Sequence, residues 1–449
     1  MSDVGVKLEG KAAMVFDMVG NTSANVFLTG VAGTGKSTLV RHIVANTPKR
    51  ALLVAPTGIA AVNIGGSTIH SMFGIPLGLY CENRPDEDHS VPTFTAADIR
   101  QKLSKMSKHK KQAIRKADLV IVDEVSMLRA DLLDAMEFVL RAVRNSRKPF
   151  GGVQMLFVGD MLQLPPVLKD AESGLFESMY GSVFFFGAKS YNSIKVKKVQ
   201  LDKIYRQTDA RFISILNNLR RQALTPEDID DLNSRVRHNV GLDDGIFITT
   251  HNYKADSING RMTMLIDEPA FLHFAEVEGY FNEDSVLASG ELVLKRGMRV
   301  MALVNEPDEY YNGKIGTIIS VPESGKIVVR FDDGTRSDID RYTWENVAME
   351  YDAEFNKFRR VVIGMFTQYP LKPAYAITVH KSQGLTFDKA ILDIREVFAS
   401  GQAYTALSRL RTMDGLTMIT HISGDVQIQM DETLSEFVHC DYLNEKDRK

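Results

Sequence analysis

The fold of this chain is decided by one stretch, Val26-Phe-Leu-Thr-Gly30-Val-Ala-Gly-Thr-Gly35-Lys36-Ser37. Its first four residues predict a buried β-strand, the next eight match the pattern GxxxxGK[ST], and residues 37–45 predict a helix. In that strand–loop–helix context the glycines let backbone N–H groups wrap a phosphate, and the helix N-terminus adds favourable partial charge. The stretch therefore predicts an α/β fold with a phosphate-binding loop.

Two side chains of the loop and two that follow a later strand have specific chemistry. Lys36 is placed to neutralise the β- and γ-phosphate oxygens of a nucleotide, and Ser37 to ligate Mg²⁺. A second apolar run, Leu119-Val-Ile-Val122, ends in Asp123-Glu124, and strand ends of a parallel sheet meet the bound ligand. Asp123 suits an outer-shell contact to Mg²⁺, and Glu124 can orient and deprotonate the attacking water.

The acidic pair also helps to distinguish an ATPase from a GTPase. A second acidic residue beside the magnesium aspartate favours an ATPase, and the sequence contains no guanine-reading Asn-Lys-x-Asp. We therefore expect ATP and Mg²⁺ as the ligands.

Length and composition exclude several classes of protein. The chain has 449 residues, enough for roughly two to four modules. Its 54 basic and 57 acidic residues give 54 − 57 = −3, so any nucleic-acid surface is a local patch. Cys81 and Cys440 lack metal-ligand spacing, and no apolar run approaches the roughly 20 residues of a membrane helix. Because the start also lacks a signal-peptide pattern, we expect a cytoplasmic protein without a membrane partner, nucleoid-associated if prokaryotic.

Apolar, β-branched runs occur in two groups along the chain, with helix-like stretches between them. Such runs indicate parallel sheets flanked by helices, so we expect two α/β lobes. The expected boundaries are 1–73 with 117–206 for the first lobe, 74–116 for an inserted arm or wedge, 207–296 with 367–449 for the second lobe and a C-terminal extension, and 297–366 for a second insertion.

The second insertion contains short strand candidates separated by Asn-Gly and Asp-Gly turns. This pattern predicts a small antiparallel barrel. The strand candidates are Arg299–Leu303, Gly316–Val321, Lys326–Phe331 and Val361–Phe366.

Three later segments supply further polar groups. Met155–Val158 leads into Gly159-Asp-Met-Leu-Gln163, an amide at the end of another core strand that can sense a γ-phosphate. Arg206 and Arg409 lie far from the loop in sequence, and a single arginine is more often an exposed surface residue. Together with Ala376-Ile-Thr-Val-His-Lys-Ser-Gln-Gly384 they form an ordered set.

In this order the segments resemble those of superfamily-1 DNA helicases, specifically the petite-integration-frequency (PIF) family, from about Asn25 to Thr420. The most specific stretch is Asp123–Asp134 continuing to Pro149–Gln154, which resembles the signature motif that separates PIF proteins from RecD and Dda helicases. The resemblance implies two RecA-like lobes with ATP between them, and an SH3-like barrel inserted in the second.

The resemblance also implies a role for each site residue. Lys36, Glu124 and Gln163 would act from the first lobe, and Arg206 and Arg409 would be arginine fingers. Ser37 and Asp123 would hold Mg²⁺. ATP would be bound by Gly30, Gly33, Thr34, Gly35, Lys36, Ser37, Thr38 and Gly384.

Single-stranded DNA would cross both lobes. The implied contacts are Pro56, Thr57, Thr68 and His70 in the first lobe and Asn252, Thr378, His380 and Lys381 in the second. These are mostly hydroxyls, imidazoles and amines, which grip phosphates without reading bases. The implied activity is ATP-driven 5′→3′ translocation and unwinding of tailed duplex DNA by a monomer, with G-quadruplexes and DNA–RNA hybrids as further substrates. The implied processes are DNA replication, repair, recombination and telomere maintenance.

One departure and two alternatives accompany this hypothesis. The family usually carries an adenine-reading glutamine upstream of the loop, where this chain has Leu8-Glu-Gly-Lys11, so no base-reading residue is assigned. An RNA-directed helicase stays open, because phosphate grips alone do not identify the sugar. A nucleotide-switched binding module that hydrolyses ATP without travelling also stays open.

Three further features have structural as well as functional interpretations. Phe184-Phe-Phe186 predicts a core strand, and Trp344 is expected to pack the small barrel. A basic run is either a solvated helix face or a cationic track for DNA. The run consists of Lys102, Lys105, Lys108, Lys110, Lys111, Arg115 and Lys116.

Overall fold

The computed structural model describes residues 8–82, 91–241, 244–322, 325–393, 401–422, 432–439 and 442–443.

The first parallel sheet contains the strand that precedes the phosphate loop. The strands of this sheet are β1 Asn25–Gly30, β2 Ala51–Ala55, β3 Ser67–Thr68, β6 Leu119–Val122, β7 Gln154–Val158 and β8 Val196–Leu201. Their order is β3-β2-β6-β7-β1-β8, and every neighbouring pair is parallel. β6 and β7 are buried at every residue, as their apolar sequences predict.

Helices cover both faces of this sheet. Val26 and Leu28 of β1 pack in one cluster with α1 and α2, whereas Phe27 belongs to the opposite cluster with α4 and α7. The helices are α1 Gly10–Asn21, α2 Lys36–Asn46, α3 Gly58–Ile64, α4 Ile69–Phe73, α7 Ala130–Arg144, α8 Asp170–Met179 and α9 Lys189–Asn192.

Residues 74–116 leave the sheet between β3 and β6. They form β4 Leu79–Tyr80, β5 Thr93–Phe94, α5 Ala96–Lys105 and α6 Lys108–Lys116. Thr95 and Asp98 make a capping box that starts α5. Ile99 and Ile114 are fully buried in the same cluster as α7, so this segment packs on the first sheet's own core.

The second parallel sheet is also accompanied by helices, but it has fewer strands. Its strands are β9 Ile246–Thr249, β20 Ala376–Thr378, β21 Ala390–Leu392 and β22 Leu416–Met418, in the order β20-β9-β21-β22 with parallel pairs throughout. The accompanying helices are α10 Ala210–Arg220, α11 Pro226–Asn233, α12 Asn252–Met264 and α13 Gln402–Leu407. The prediction of a mixed α/β fold with parallel cores is confirmed.

The second insertion forms an antiparallel sheet together with a strand that follows it in the chain. It contains β13 Arg299–Ala302, β14 Ile315–Ser320, β15 Ile327–Phe331, β16 Arg336–Ile339 and β19 Leu371–Pro373, in the order β16-β15-β14-β13-β19. Gly334, in the predicted Asp-Gly turn between β15 and β16, has a φ of +87°. Three of the four strand candidates therefore fall in this sheet.

The fourth candidate, Val361–Phe366, was assigned to the wrong sheet. It lies inside a long hairpin of β17 Tyr342–Asp352 and β18 Lys357–Gln368, and β18 also pairs with β11 Glu276–Gly279. Trp344 of the hairpin is buried beside Phe366, with ring centres 5.8 Å apart, in a cluster that also contains Met301 and Ile315 of the antiparallel sheet, in agreement with the expectation that it packs the second insertion. A further pair joins β10 Phe271–Phe274 to β12 Glu291–Leu294.

The hairpin reaches the first sheet. The Val347 carbonyl accepts from Ser67 Oγ at 3.3 Å, and Asn356 Oδ1 accepts from Arg50 Nη1 at 2.7 Å. The Arg50 guanidinium also lies 5.8 Å from the Tyr351 ring centre. The hairpin therefore bridges the two halves of the molecule.

The C-terminal helix, α14 Glu432–Val438, lies on the first sheet's core although the chain arrives there from the second sheet. The Phe437 ring stacks on Phe186, with ring centres 4.2 Å apart. Phe184, Phe185 and Phe186 are buried as predicted, but they enter a 3-10 turn instead of a strand.

Short 3-10 turns complete the described structure: Val125–Met127, Pro149–Gly152, Phe185–Gly187, Glu283–Ser285 and Met413–Gly415. None of the helices in the described ranges is long and apolar enough to cross a bilayer. Cys81 is buried as a free thiol, and Cys440 lies outside the described residues.

Candidate nucleotide site between the two parallel sheets

The phosphate loop turns between β1 and α2 on two glycines. Gly33 and Gly35 have φ values of +82° and +80°, a region that side chains other than glycine rarely adopt. A Cβ on Gly33 would also lie 2.6 Å from the Cβ of Arg206. Glycine is therefore required at position 33 both for the turn and for the close approach of the Arg206 segment.

Lys36 opens α2 with its ammonium folded over the loop. Its Nζ donates to the Gly30 carbonyl at 2.7 Å and to the Val31 carbonyl at 3.2 Å. Burial lowers the pKa of Lys36, and the carboxylates of Asp160 and Glu124 oppose that shift. Because carbonyls hold the cation inside the loop, its charge is available to a phosphate in the same place.

The remaining loop residues differ in exposure. The Thr34 side chain is 4% exposed and donates to the Val31 carbonyl at 2.9 Å, so it stabilises the loop from within. Ser37 is half-buried and Thr38 is exposed.

Asp123 and Glu124 follow β6 as predicted. The Glu124 N–H donates to Asp123 Oδ1 at 2.9 Å, and Glu124 adopts the left-handed region with φ +52°. Burial and the neighbouring Glu124 raise the pKa of Asp123 to about 7. A divalent cation would favour the ionised form, and carboxylate and hydroxyl oxygens are the ligands that Mg²⁺ prefers, so Asp123 and Ser37 fit a magnesium site.

Second-sheet residues meet this pair across the cleft. Gln383 Nε2 donates to Glu124 Oε2 at 2.9 Å, which orients the carboxylate from the opposite side. Arg409 is 2% exposed, its Nε donates to the Thr405 carbonyl at 2.9 Å, and burial together with Arg206 lowers the pKa of Arg409 to about 9.

Arg206 and its neighbour tie the two halves together. Arg206 Nη1 donates to the Ser408 carbonyl at 3.1 Å, and Gln207 Nε2 donates to the carbonyls of Ser408 and Leu410. The Tyr205 N–H donates to the Gly33 carbonyl at 2.8 Å. This short segment therefore fixes the position of Arg409 relative to the phosphate loop.

These groups share one cavity of about 620 Å³. All of the predicted ATP, magnesium and catalytic residues except Gly30 line it. Gly384 lines it from the second sheet with a φ of +82°. Gln163 lines it too, and its amide lies 3.4 Å from Asp160 Oδ2.

Several cavity residues were absent from the predicted set, and three of them are Gln383, Arg411 and Tyr205. Gln383 and Arg411 lie one and two positions from predicted residues, so their motifs contained the signal. Tyr205 is 65% exposed, and its ring lies 3.7 Å from where a Cβ on Gly35 would be. An exposed aromatic residue beside a predicted arginine finger was the signal for this third residue.

The predicted DNA contacts of the first lobe are satisfied by their own chain. Thr57 Oγ1 accepts from the Ala60 N–H at 3.3 Å, and Thr68 Oγ1 accepts from the Ser71 N–H at 3.1 Å, which caps α3 and α4. His70 Nδ1 lies 3.2 Å from the Ile75 carbonyl, and burial lowers the pKa of His70. Pro56 is half-buried directly before Thr57.

The predicted DNA contacts of the second lobe lie in three different environments. His380 and Lys381 line the nucleotide cavity together with Thr57, and Asn252 is exposed at the start of α12. Thr378 is 3% exposed, so its hydroxyl is out of reach of DNA in this conformation.

One segment of the second lobe and the hairpin of the second insertion lie against the first-lobe contacts. A Cβ on Gly58, next to Thr57, would be 2.8 Å from the Cα of Ser285. The hairpin contacts Ser67, next to Thr68. In this arrangement the predicted DNA track is partly covered.

A family model described as "PIF1-like helicase" matches residues 8–221. The ATP-dependent DNA helicase Pif1 of Bdellovibrio bacteriovorus is 32% identical over 421 residues, which cover 92% of this chain and 88% of that protein. The chain belongs to the PIF1-like helicase family. This membership confirms the resemblance seen in the motifs.

Other PIF1-like relatives are longer. The ATP-dependent DNA helicase PIF1 of Rattus norvegicus is 32% identical over 426 residues, and the match covers 92% of this chain but 61% of that protein. The chain thus spans less than two thirds of the length of this mammalian relative.

Solved structures of a Bacteroides Pif1 resemble this PIF1-like chain closely. Its complex with ADP-AlF4 has a TM-score of 0.86 at 36% identity and covers 96% of both chains. Its complex with single-stranded DNA has a TM-score of 0.67 at the same identity and coverage. A further structure concerns unwinding of forked duplex DNA by two coordinating Pif1 helicases, also with a TM-score of 0.67.

Proposed function

We propose that this PIF1-like chain is an ATP-dependent DNA helicase that moves 5′→3′ on single-stranded DNA. The observation that carries the proposal is the contact of Gln383 with Glu124, because it joins the second sheet to the group that would activate water. The Bdellovibrio and rat relatives bear the name ATP-dependent DNA helicase, and Bacteroides Pif1 structures hold DNA.

Hydrolysis would use groups from both sheets. Glu124 is the proposed general base; burial raises its pKa, while Lys36 and Arg409 oppose that rise. Lys36, Arg206 and Arg409 would stabilise the charge that develops on the γ-phosphate, and Gln163 would sense that phosphate. Mg²⁺, held by Ser37 and Asp123, would neutralise charge on the β- and γ-phosphate oxygens.

We propose Tyr205 as the group that holds the nucleobase. Its ring is exposed beside Gly35, and Lys203 Nζ lies 5.1 Å from the ring centre. Stacking on an aromatic face does not discriminate among bases, so this choice fits a chain that lacks the usual upstream glutamine.

Movement would come from closure of the cleft around ATP. Two grips, one on each lobe, produce net motion when their strengths change differently between the open and closed states. Ser285 and the hairpin lie beside Thr57 and Thr68, and the fold here is nearer the Bacteroides complex with ADP-AlF4 than the DNA complex. We therefore propose that the Ser285 segment of the second lobe and the hairpin of the second insertion move away when DNA binds. The 5′→3′ direction is inherited from the family.

The finer architecture is part of the proposal. The two parallel sheets would be RecA-like lobes, residues 74–116 a wedge that splits the duplex, and the antiparallel sheet an SH3-like module that encloses the tracking strand. The chain would act as a monomer on DNA in the cytoplasm, in replication, repair, recombination and telomere or genome maintenance. G-quadruplexes and DNA–RNA hybrids would be further substrates.

Unwinding of tailed duplexes tests the proposal. With ATP and Mg²⁺, the chain should separate a duplex that has a 5′ single-stranded tail and leave 3′-tailed and blunt duplexes intact. Efficient unwinding from a 3′ tail alone would overturn the proposed direction. ATP hydrolysis and DNA binding without strand separation would instead indicate a nucleotide-switched binding module.

A second arm identifies the strand. ATP hydrolysis should be stimulated by a DNA oligonucleotide more than by RNA of the same sequence. Stronger stimulation by RNA would favour the RNA-directed alternative.

A further inference from the structure

Helix α13 lies between the two parallel sheets and leads directly to Arg409. It starts after Gly401, where φ is +75° and where a Cβ would lie 2.0 Å from the Gln163 carbonyl oxygen. Only glycine allows this approach. The start of the helix is therefore seated on the loop that carries the proposed γ-phosphate sensor.

The middle of the same helix contacts that loop again, and also the phosphate loop, through one hydroxyl. Tyr404 is 4% exposed, and its hydroxyl donates to Asp160 Oδ2 at 3.1 Å. The Tyr404 hydroxyl oxygen also accepts from the N–H of Ala32, inside the phosphate loop, at 2.9 Å. Because both contacts are buried, losing the hydroxyl leaves two polar groups without that partner.

The Asp160 carboxylate accepts hydrogen bonds from side chains in both halves of the molecule. It is 1% exposed, and Oδ1 accepts from Arg220 Nη2 at 2.8 Å and from Arg220 Nε at 3.2 Å. Burial would raise the pKa of Asp160, but Arg220 and Lys36 outweigh it and hold that pKa below its ordinary value. A buried ion pair adds little net stability after desolvation, so its value here is geometric.

We propose that Asp160, Arg220 and Tyr404 are positioning residues that couple the γ-phosphate sensor and the phosphate loop to the arginine finger. The three side chains do not line the nucleotide cavity, yet they bridge Ala32 and Gln163 to α13. Arg409 is tied to that helix by its bond to the Thr405 carbonyl. A shift of Gln163 on loss of phosphate would therefore move Arg409. The inference rests on the proposed ATPase function.

Tyr404→Phe removes the hydroxyl and keeps the ring. We expect kcat for DNA-stimulated ATP hydrolysis to fall about ten-fold, the effect of one hydrogen bond to a charged group, with KM for ATP within about three-fold. Arg220→Lys keeps the charge but loses the two-nitrogen contact, and it should lower kcat in the same way. Tyr180→Phe is the matched control, because the buried Tyr180 hydroxyl donates to Asp134 at 3.0 Å outside the cavity and its loss should leave kcat unchanged.

A double-mutant cycle separates positioning from general damage. In an Arg409→Ala background, Tyr404→Phe should change kcat by less than about two-fold, because the group that it positions is gone. An undiminished effect in that background, or a rise in KM with unchanged kcat, would overturn the inference. If the unsubstituted chain hydrolysed no ATP, the proposed function would fail and this inference with it, whereas an active parent with additive variants would refute the inference alone.

Discussion

The proposed nucleotide side and the proposed DNA side of the cleft, called below the nucleotide side and the DNA side, differ in how far they are assembled. On the nucleotide side, Gln383 already reaches Glu124 at 2.9 Å, and Arg206 already reaches the Ser408 carbonyl at 3.1 Å. On the DNA side, Thr57 and Thr68 cap helices of their own lobe, and no hydrogen bond in the described residues joins them to the second-lobe grip.

The difference has a physical cause. Buried charges must find partners inside the protein, so the groups around the phosphate loop are held together even without ligand. Hydroxyls at a surface can bond to their own backbone or to water, so no penalty forces the two grips to meet. The comparison implies that substitutions on the nucleotide side act with or without DNA, whereas those on the DNA side act only when DNA is bound.

The largest expected effect is at Lys36. Lys36→Ala should abolish ATP hydrolysis in the presence and absence of DNA while the fold persists, because phosphate charge is no longer neutralised. Turnover by phosphate release and folding by circular dichroism measure this. Lys49→Ala is the control, since Lys49 bonds Gln154 away from the cavity; near-normal turnover in Lys36→Ala would place the site elsewhere.

Glu124→Gln should come next. Loss of the general base is expected to slow hydrolysis by about 10²–10⁴ while nucleotide binding stays intact, because the amide still accepts a hydrogen bond but cannot take a proton. Binding of a fluorescent nucleotide and single-turnover hydrolysis measure the two effects.

Glu137→Gln is the matched control for that variant, because burial also raises the pKa of Glu137, which lies outside the cavity. Loss of nucleotide binding in a folded Glu124→Gln protein would make Glu124 a structural or metal-binding group.

The arginines test whether the nucleotide side works as one unit. Arg206→Ala and Arg409→Ala should each lower DNA-stimulated turnover on the order of 10³-fold, with a much smaller change in ATP affinity. Steady-state kinetics with and without DNA measure the split, with Arg147→Ala as the control because Arg147 is exposed after α7 and lies outside the cavity and the basic run. A pure loss of affinity with unchanged turnover would contradict the arginine-finger role.

The smallest effect concerns the basic run on the DNA side. Lys110 Nζ donates to the Ser71 carbonyl at 2.7 Å, whereas Lys102, Lys105 and Lys108 are exposed. Replacing those three lysines together by alanine should reduce the salt slope of single-strand binding by about 2, at about 0.7 per phosphate contact. Binding titrations over a salt series measure it, with Lys110→Ala as the comparison; an unchanged slope would return the run to a solvated helix face.

Much of the nucleotide side was predictable because its signals are local. The phosphate loop needs glycines at set positions. Asp123-Glu124 follows a strand whose apolar residues predict that it is buried. The parallel cores were predictable for the same reason, since apolar runs in β2, β6 and β7 can be buried only between helices. The assignment of single-strand contacts stays a prediction, because a contact of Thr57 or His380 with DNA is formed only when DNA is bound.

The errors have a different source. The residue types of Val361–Phe366 predict a strand but do not specify its sheet. Its pairing with β17 and β11 decides to which sheet it belongs. Phe184-Phe-Phe186 is likewise apolar by sequence, but it enters a 3-10 turn instead of the expected strand and packs against the C-terminal helix.

The sequence by itself determined the phosphate loop, the strands around it, the acidic pair and the family. The loop, the strands and the acidic pair each depend on residues within one turn or strand of one another, where the residue types directly restrict the backbone conformation. The family depends on the order in which several such short motifs occur along the chain. Only the tertiary structure decided how Tyr404 meets Ala32, 372 positions away in the chain, and how Arg220 meets Asp160. Such contacts depend on the packing of whole sheets, and no short pattern records them, because a buried tyrosine or arginine can be satisfied by many different partners.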